Sequence, residues 1–521
     1  MVFGLDRVLS GRWRVGGDGD EDWRGVPFAV SPPARLLSPS WRGLRRRDGG
    51  YAELMPVVDE FFGTSSQVCG GFWPFSTDMA LPVEGVPLGR SISTGAGVCC
   101  DPISWFKAGI IHQPSMFVMG LPAIGKSSLV RRIVWGLAAL GVHAIIPGDL
   151  KPDYALLTRQ LGGQVIRLGS GIGSINPLDP GDVHYSLPRL TGEAREDLLA
   201  YYHERRVALL ESLLAIARCG EEDPGRRSVS QLESDVLSVA LLMLQERFAR
   251  EAQPPVMADL RDLLRDGPMR LRTTAIFDDP DDGEAYARAV RPLVANLHGF
   301  ANPHGRFGRL FSEQTTERMD LTRPIDFDIS AFSQSGDQVV SAVLAATWSS
   351  AFAAKNRLDA LAEAGLEPRR NHVIIMDEMH RALRASPVMV NQLDLLTRLN
   401  RQWGVGQIMI THTFADLLCL DTPAQNLKAK GFVERSEIKI LGALTRMEVD
   451  KYLRGMSGLP VSEREESILQ DWTTPMNFNA QASFKGLGKF LIKTGGLPGI
   501  PIDVQLCELE RGGFNDTNAK W

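Results

Sequence analysis

Gly120-Leu121-Pro122-Ala123-Ile124-Gly125-Lys126-Ser127 is the stretch from which the fold of this chain can be read. It fits the phosphate-loop pattern G-x-x-x-x-G-K-[ST], and its flanks agree with it. The apolar run Met116-Phe117-Val118-Met119 before it reads as a short buried strand. After it, Leu129, Ile133, Leu137 and Leu140 recur at helical spacing, predicting a helix from Ser127 to Leu140. A strand, a glycine-bounded loop and a helix in that order make a triphosphate site. Backbone N–H groups from Gly120 to Ser128 turn inward, and the helix N-terminus adds partial positive charge. Lys126 is placed to reach the β- and γ-phosphates of ATP, and the Ser127 hydroxyl to ligate Mg²⁺. A glycine-rich turn that matched by chance would lack these flanks.

A second segment completes the site. His372-Val-Ile-Ile-Met-Asp377-Glu378 is an apolar strand that ends in two carboxylates. Such a strand delivers Asp377 to the carboxyl edge of a sheet, where nucleotide sites form. An acid there holds Mg²⁺, and Glu378 beside it is placed to orient and deprotonate an attacking water. Strands often finish in acids at a surface, so the segment gains its weight from Gly120–Ser127 in the same chain. Gly406-Gln-Ile-Met-Ile-Thr411-His412 is predicted to end at the same edge. Thr411 and His412 there suit either sensing of a γ-phosphate or a plain strand end satisfied by backbone. The strand Ile325–Ile329 is expected to intervene between the phosphate loop and Asp377. With a Glu directly after the strand Asp, this resembles the additional-strand, catalytic-glutamate division of RecA-like phosphate-loop ATPases. No Asn-Lys-x-Asp guanine-reading motif is present, which favours adenine.

Outward from these segments, short apolar runs alternate with helical patterns, as in an α/β sheet. Further strands are expected at Ala144–Ile146, Val165–Leu168 and Ile438–Leu441, with a closing hairpin from Gly488–Ile492 to Ile502–Leu506. From about 186 to 320 the strand signal vanishes. Glu193–Ala217 is a long helical pattern, Ser230-Gln-Leu-Glu233 is a capping box opening a second, and two more follow at Leu260–Leu264 and Glu284–Leu297. The acidic run Asp278–Asp282 does not have calcium-loop spacing and reads as a solvated loop. The expected organisation is an N-terminal arm or small docking region at 1–80, the first part of the ATPase domain at 81–185, a helical insertion at 186–320, the second part at 321–510 and a tail at 511–521. Within 1–80, Trp41–Arg47 is a basic cluster that suits a flexible arm or a docking segment for an acidic or membrane-proximal partner. Tyr51–Phe62 could form one short helix.

The chain has 521 residues, too many for one compact core. Its hydrophobic fraction of 44% and charged fraction of 23% are ordinary for a globular protein. The formal net charge of −5 gives no support for DNA as a partner, although a local basic channel is compatible with it. The six cysteines, Cys69, Cys99, Cys100, Cys219, Cys419 and Cys507, are scattered and lack zinc spacing, as expected of reduced cytoplasmic thiols. No apolar stretch approaches the ~20 residues that span a bilayer. Membrane association is therefore expected only through partners, at the inner face.

Four segments together resemble the HerA–FtsK superfamily, and within it the motor ATPases of conjugation and type IV secretion. They are Gly120–Ser128; Gly148-Asp149-Leu-Lys151-Pro152-Asp153-Tyr154; Leu161–Arg167 with Ser174-Ile-Asn176-Pro-Leu-Asp179; and Val373–Glu378 with Arg398–Gly404 and Thr411-His412. The Ile-Asn-Pro-Leu-Asp piece is the most telling, and Ile410-Thr-His-Thr413 is similar to the actinobacterial branch of conjugation proteins. The resemblance implies a homo-hexameric ring working with secretion or conjugation machinery, with ATP between subunits and a neighbour's arginine completing each site. Arg398 and Arg401 are the first candidates for that arginine, with Arg435 behind them. Asp149 and Lys151 are expected near the nucleotide. Three substitutions depart from the family pattern: Asp153 for Glu, Pro152 for Gly, and His412 where many relatives carry Gln.

Three functions compete on this basis. A motor energising conjugative DNA transfer or type IV secretion accounts for all four segments. A DNA translocase or coupling protein of the same superfamily would need a basic or aromatic pore, which is not evident in the sequence. A nucleotide-binding scaffold with little turnover is opposed by the intact Lys126–Ser127 and Asp377–Glu378 pairs.

Overall fold

The computed structural model describes short segments within 38–52 and most of 81–515. Residues 1–37, most of 41–80, 219–227, 380–403 apart from 383 and 390, 454–458, 476–484, 516–521 and some shorter stretches lie outside the described residues. The chain divides into two units, Met1–Thr77 and Asp78–Trp521. In the first, β1 (Ser38–Ser40), β2 (Gly43–Arg45) and β3 (Tyr51–Ala52) form an antiparallel sheet. Tyr51 therefore begins a strand, not the short helix expected there, and 53–62 lie outside the described residues.

The second unit is built on one 11-stranded sheet. Its strands are β4 (Pro87–Ser91), β5 (Gly97–Cys99), β6 (Ser115–Met119), β7 (His143–Asp149), β8 (Gln164–Arg167), β9 (Ile325–Asp328), β10 (His372–Met376), β11 (Val405–Thr411), β12 (Ile438–Leu441), β13 (Lys489–Thr494) and β14 (Ile500–Val504). Their order is β5-β4-β14-β13-β12-β6-β11-β10-β7-β9-β8. From β12 to β8 every pairing is parallel, and β13, β14, β4 and β5 add an antiparallel wing. The parallel centre is covered on both faces, so β6, β10, β11 and β12 are buried at every position, as their apolar runs require.

The topology corrects one expectation. Along the chain Ile325–Asp328 does precede Asp377, but in the sheet it lies between β7 and β8, far from the phosphate loop. The strand standing between β6 and β10 is β11, bonded in parallel to both. The additional strand is thus the one that ends in Thr411. Sequence order cannot reveal this, because crossovers through helices let successive parallel strands be placed out of order.

The helix after the phosphate loop spans Lys126–Ala139 and buries Leu129, Ile133 and Leu137. Leu140, expected on that face, follows the helix as its cap and is exposed. Between β8 and β9 the chain is helical: Glu193–Ala217, Gln231–Phe248, Met257–Asp266, Met269–Ala275 and Gly283–Ala301 are its longer helices. Ser230 and Glu233 exchange the reciprocal capping bonds foreseen for them, and Asp282 caps Gly283–Ala301 with its side chain. Glu193–Ala217 packs against Asp337–Glu363, a helix of the sheet layer. Asn176 ties this helical part to the sheet region. Its amide donates to Pro255 O (2.9 Å) and Gln314 Oε1 (3.2 Å), and its backbone N–H donates to Thr315 Oγ1. The Ile-Asn-Pro-Leu-Asp piece thus joins the two ends of a long helical excursion. At the C-terminus a short helix, Glu508–Gly513, crosses the start expected for the tail. It docks on the phosphate-loop helix through Arg132–Glu510 and an edge-on Trp135–Phe514 contact.

Candidate active site

Strand register assembles the site. Met119 aligns with Thr411 on one side and with Leu441 on the other, and Met376 aligns with Met409. Gly120, His412, Gly442 and the Asp377–Glu378 pair therefore leave the sheet at one carboxyl edge.

The phosphate loop is shaped by glycines and by its neighbours. Gly120 (φ 155°) and Gly125 (φ 98°) adopt backbone conformations that side chains disfavour, and Ala123 is left-handed at φ 62°. Leu121 N donates to Ala443 O, Gly442 N to Met119 O, and Gly488 N to Ile124 O. The loop is thus held from outside by the residues that follow β12 and precede β13. These supports are absent from the sequence expectations. A glycine directly after a buried strand at this edge was the available signal. Pro122 and Ala123 are exposed at the loop tip, and Ser127 and Ser128 lie on the first turn of the helix.

Lys126 is 6% exposed and turned back on its own loop. Its Nζ donates to Gly120 O (2.7 Å), Leu121 O (2.9 Å) and His412 Nδ1 (2.9 Å). Burial pushes this ammonium down to about 8, against the pull of Asp377 and Glu378. An imidazole that accepts from an ammonium at Nδ1 has its other nitrogen free to donate. His412 Nε2 lies 3.1 Å from Glu378 Oε1. Lys151 donates to the same oxygen. Burial alone would raise the Glu378 carboxyl, but the hydrogen bonds from His412 and Lys151 hold it well below the usual carboxylate range. Glu378 is also left-handed at φ 50°, an uncommon conformation for this side chain that recurs at functional sites. Thr411 Oγ1, at the end of β11, is buried without a hydrogen-bond partner.

Asp377 is half-buried, and desolvation together with neighbouring Glu378 pushes it up to about 6. Its Oδ1 accepts from Glu378 N (2.9 Å) and its Oδ2 from the Tyr154 hydroxyl (3.2 Å). Asp149, expected near the nucleotide, accepts from the backbone of the loop that follows it, Asp153 N (3.0 Å) and Tyr154 N (2.7 Å). Burial pushes it up to about 7. Arg131, from the phosphate-loop helix, donates to Asp153 O (2.8 Å) and Ser128 Oγ (3.4 Å). The loop 149–154 is therefore clamped between that helix and the end of β10, and it brings Lys151 and Tyr154 to the acids. Arg398 and Arg401 lie outside the described residues. Arg435 is at the opposite edge of the sheet, where its backbone carbonyl accepts from Ser115 Oγ and its guanidinium lies over Phe432.

The donor set fits a magnesium–nucleotide. A loop whose backbone tolerates close approach ends at a helix N-terminus. A buried ammonium there has no anionic partner within bonding distance among the described residues. Two adjacent carboxylates act on its charge, and the neighbouring strand β11 ends in an unpartnered Thr411 hydroxyl. Among the described residues no cluster of three or more His, Cys, Asp or Glu side chains could hold a metal by itself, and magnesium in such sites is shared with phosphate and water. Cys99, Cys100 and Cys507 are free thiols; Cys69, Cys219 and Cys419 lie outside the described residues. Among the described residues no helix is long and apolar enough to cross a membrane.

No protein-family model and no curated protein matches the chain. Solved structures do. VirB4 of Thermoanaerobacter pseudethanolicus superposes with a TM-score of 0.60 at 19% identity, covering 83% of this chain and 100% of that one. The plasmid coupling protein TrwB in complex with ADP and Mg²⁺ follows at 0.44 and 14% identity, covering 76% of this chain and 86% of that one. The type VII secretion ATPase EccC of Thermomonospora curvata, by its cytoplasmic domain, gives 0.30 at 12% identity over 81% of this chain and 29% of that one. Across the whole of that VirB4 structure the chain shares one fold, an α/β architecture built on a mostly parallel sheet.

Proposed function

We propose that this chain is an ATP-hydrolysing motor that energises conjugative DNA transfer or type IV secretion. The observation that carries this is the linked set Lys126–His412–Glu378–Lys151, assembled at one sheet edge with Asp377 behind it. It joins a phosphate-binding lysine to a general base through one side chain. Gly120–Ser128 would cradle the phosphates of ATP. Lys126 would exchange its loop carbonyls for phosphate oxygens, a gain because a buried ammonium prefers an anion to a dipole. Ser127 and Asp377 would hold Mg²⁺, which when bound neutralises charge on the phosphates. Glu378, kept ionised by His412 and Lys151, would orient the attacking water and take its proton at a carboxylate oxygen. Thr411 and His412 would sense the γ-phosphate, the first through its unpartnered hydroxyl and the second through the loss of Lys126 from Nδ1.

A ring of six subunits with ATP at the interfaces, an arginine supplied by the neighbour, and peripheral placement at the inner face of the cell membrane through partner proteins complete the proposal. A net charge of −5 favours a motor acting on protein machinery over one that grips DNA throughout. The test is steady-state ATP hydrolysis by wild type and Lys126→Ala, with and without DNA. Turnover lost in Lys126→Ala and indifferent to DNA is expected. Turnover that survives Lys126→Ala would remove the site assignment, and strong DNA stimulation would favour a translocase.

A further inference from the structure

We infer that Tyr154 is a positioning residue for the magnesium-holding acid Asp377, a role that rests on the ATPase reading above. Three observations lead there. The Tyr154 ring is 0% exposed, and its hydroxyl spends its hydrogen bond on Asp377 Oδ2 at 3.2 Å rather than on a backbone carbonyl. A buried tyrosine needs some partner, and the one chosen here is a carboxylate of the site. Second, Glu378 N takes Oδ1 at 2.9 Å, so the two donors together fix both the rotation and the tilt of the carboxylate. Each oxygen keeps acceptor capacity for a metal ion or its water. A neutral hydroxyl orients this group without cancelling its charge. An ammonium or guanidinium in its place would compete with the cation.

Third, the structure invests in keeping Tyr154 where it is. The Asp149 carboxylate gathers the backbone N–H groups of Asp153 and Tyr154, and Arg131 holds the Asp153 carbonyl from the phosphate-loop helix. The same helix begins with Lys126 and Ser127. Loop 149–154 is thus a strap running from the helix that carries the phosphate ligands to the acid across the site. Its buried Asp149 is spent on shaping the loop, which gives that residue a purpose other than touching nucleotide.

The test uses full-length protein, a fluorescent ADP analogue and a magnesium titration. Tyr154→Phe removes one oxygen from a buried ring and leaves its volume. Its thermal transition is expected to stay close to wild type. The magnesium concentration for half-maximal nucleotide retention is expected to rise about tenfold, the usual scale for losing a partner of a metal ligand. Retention without magnesium is expected to be unchanged, and turnover to recover as magnesium is raised. Asp149→Asn, which loosens the strap but leaves the hydroxyl, is expected to shift the curve the same way by less. Coincident magnesium curves for wild type and Tyr154→Phe would overturn the role while leaving the ATPase reading intact. So would a loss of turnover that magnesium does not restore. A wild type that retains no nucleotide at any magnesium concentration would overturn both.

Discussion

Gly442 is the sharpest mechanical test of how the phosphate loop is supported. It follows β12, and its backbone is not in the left-handed region, so only space decides whether a side chain fits. A Cβ at Gly442 would sit 2.0 Å from Ile124 Cδ1, with Phe490 Cε1 at 3.3 Å. That is about 1.4 Å short of ordinary van der Waals contact. Ile124 is itself 1% exposed and its carbonyl is held by Gly488 N, so its side chain has little room to turn. Gly442→Ala therefore overpacks the loop from beneath. Overpacking of this kind costs about 1–3 kcal/mol. If that strain is expressed in the phosphate-binding conformation, affinity for ATP falls roughly 5- to 150-fold. Ile124→Val removes the clashing Cδ1, so the double variant should recover most of the loss, a coupling that a mutant cycle reads directly. The assay is equilibrium binding of a fluorescent ATP analogue to the four proteins, with thermal transitions as a check on folding. Wild-type affinity in Gly442→Ala, or a double variant no better than the single, would refute the reasoning.

Two further outcomes follow from groups away from the phosphates. Burial holds the His372 imidazole down to about 4 against an ordinary 6.5, with its Nε2 on Leu321 O. The unfolded chain then takes the proton first, so stability falls as pH drops from about 6.5 toward 4, by about 2–3 kcal/mol between pH 7.5 and 4.5; His372→Gln should lose less by that amount in denaturant titrations at the two pH values, and equal losses would contradict it. Asn176→Ala leaves the Pro255 carbonyl and Gln314 without their donor and should cost about 1–3 kcal/mol, seen as faster hydrogen exchange across 254–316, with unchanged exchange there as the contrary result.

What the sequence shows clearly and what it hides divide along physical lines. The apolar runs 115–119, 372–376 and 438–441 are legible because a parallel strand covered on both faces tolerates few polar residues, and they emerge within a residue of where expected. β4 and β5 are not legible. Pro87-Leu-Gly-Arg-Ser91 contains two strand breakers and buries only Leu88 and Ser91; it is a strand because β14 lies beside it, a contact across most of the chain. The helical excursion shows its periodicity, but the seven-residue helix Met269–Ala275 is too short to leave a pattern. At the site, Lys126, Ser127, Asp377 and Glu378 are local motifs. The Tyr154–Asp377 hydrogen bond and the close approach of Gly442 to Ile124 join residues far apart in the chain, which no single segment encodes. Asp149 carries the chemistry of a ligand in sequence, yet two backbone N–H groups claim its carboxylate.

On the proposed reading Glu378 is the base of an ATP-hydrolysing site whose phosphates rest on Gly120–Ser128. The most direct measurement is ATP turnover by wild type and Glu378→Gln, with retention of a fluorescent ATP analogue recorded on the same samples. Wild type should turn over, and Glu378→Gln should retain nucleotide while turnover falls by ~10²-fold or more. Turnover in Glu378→Gln equal to wild type would contradict the account.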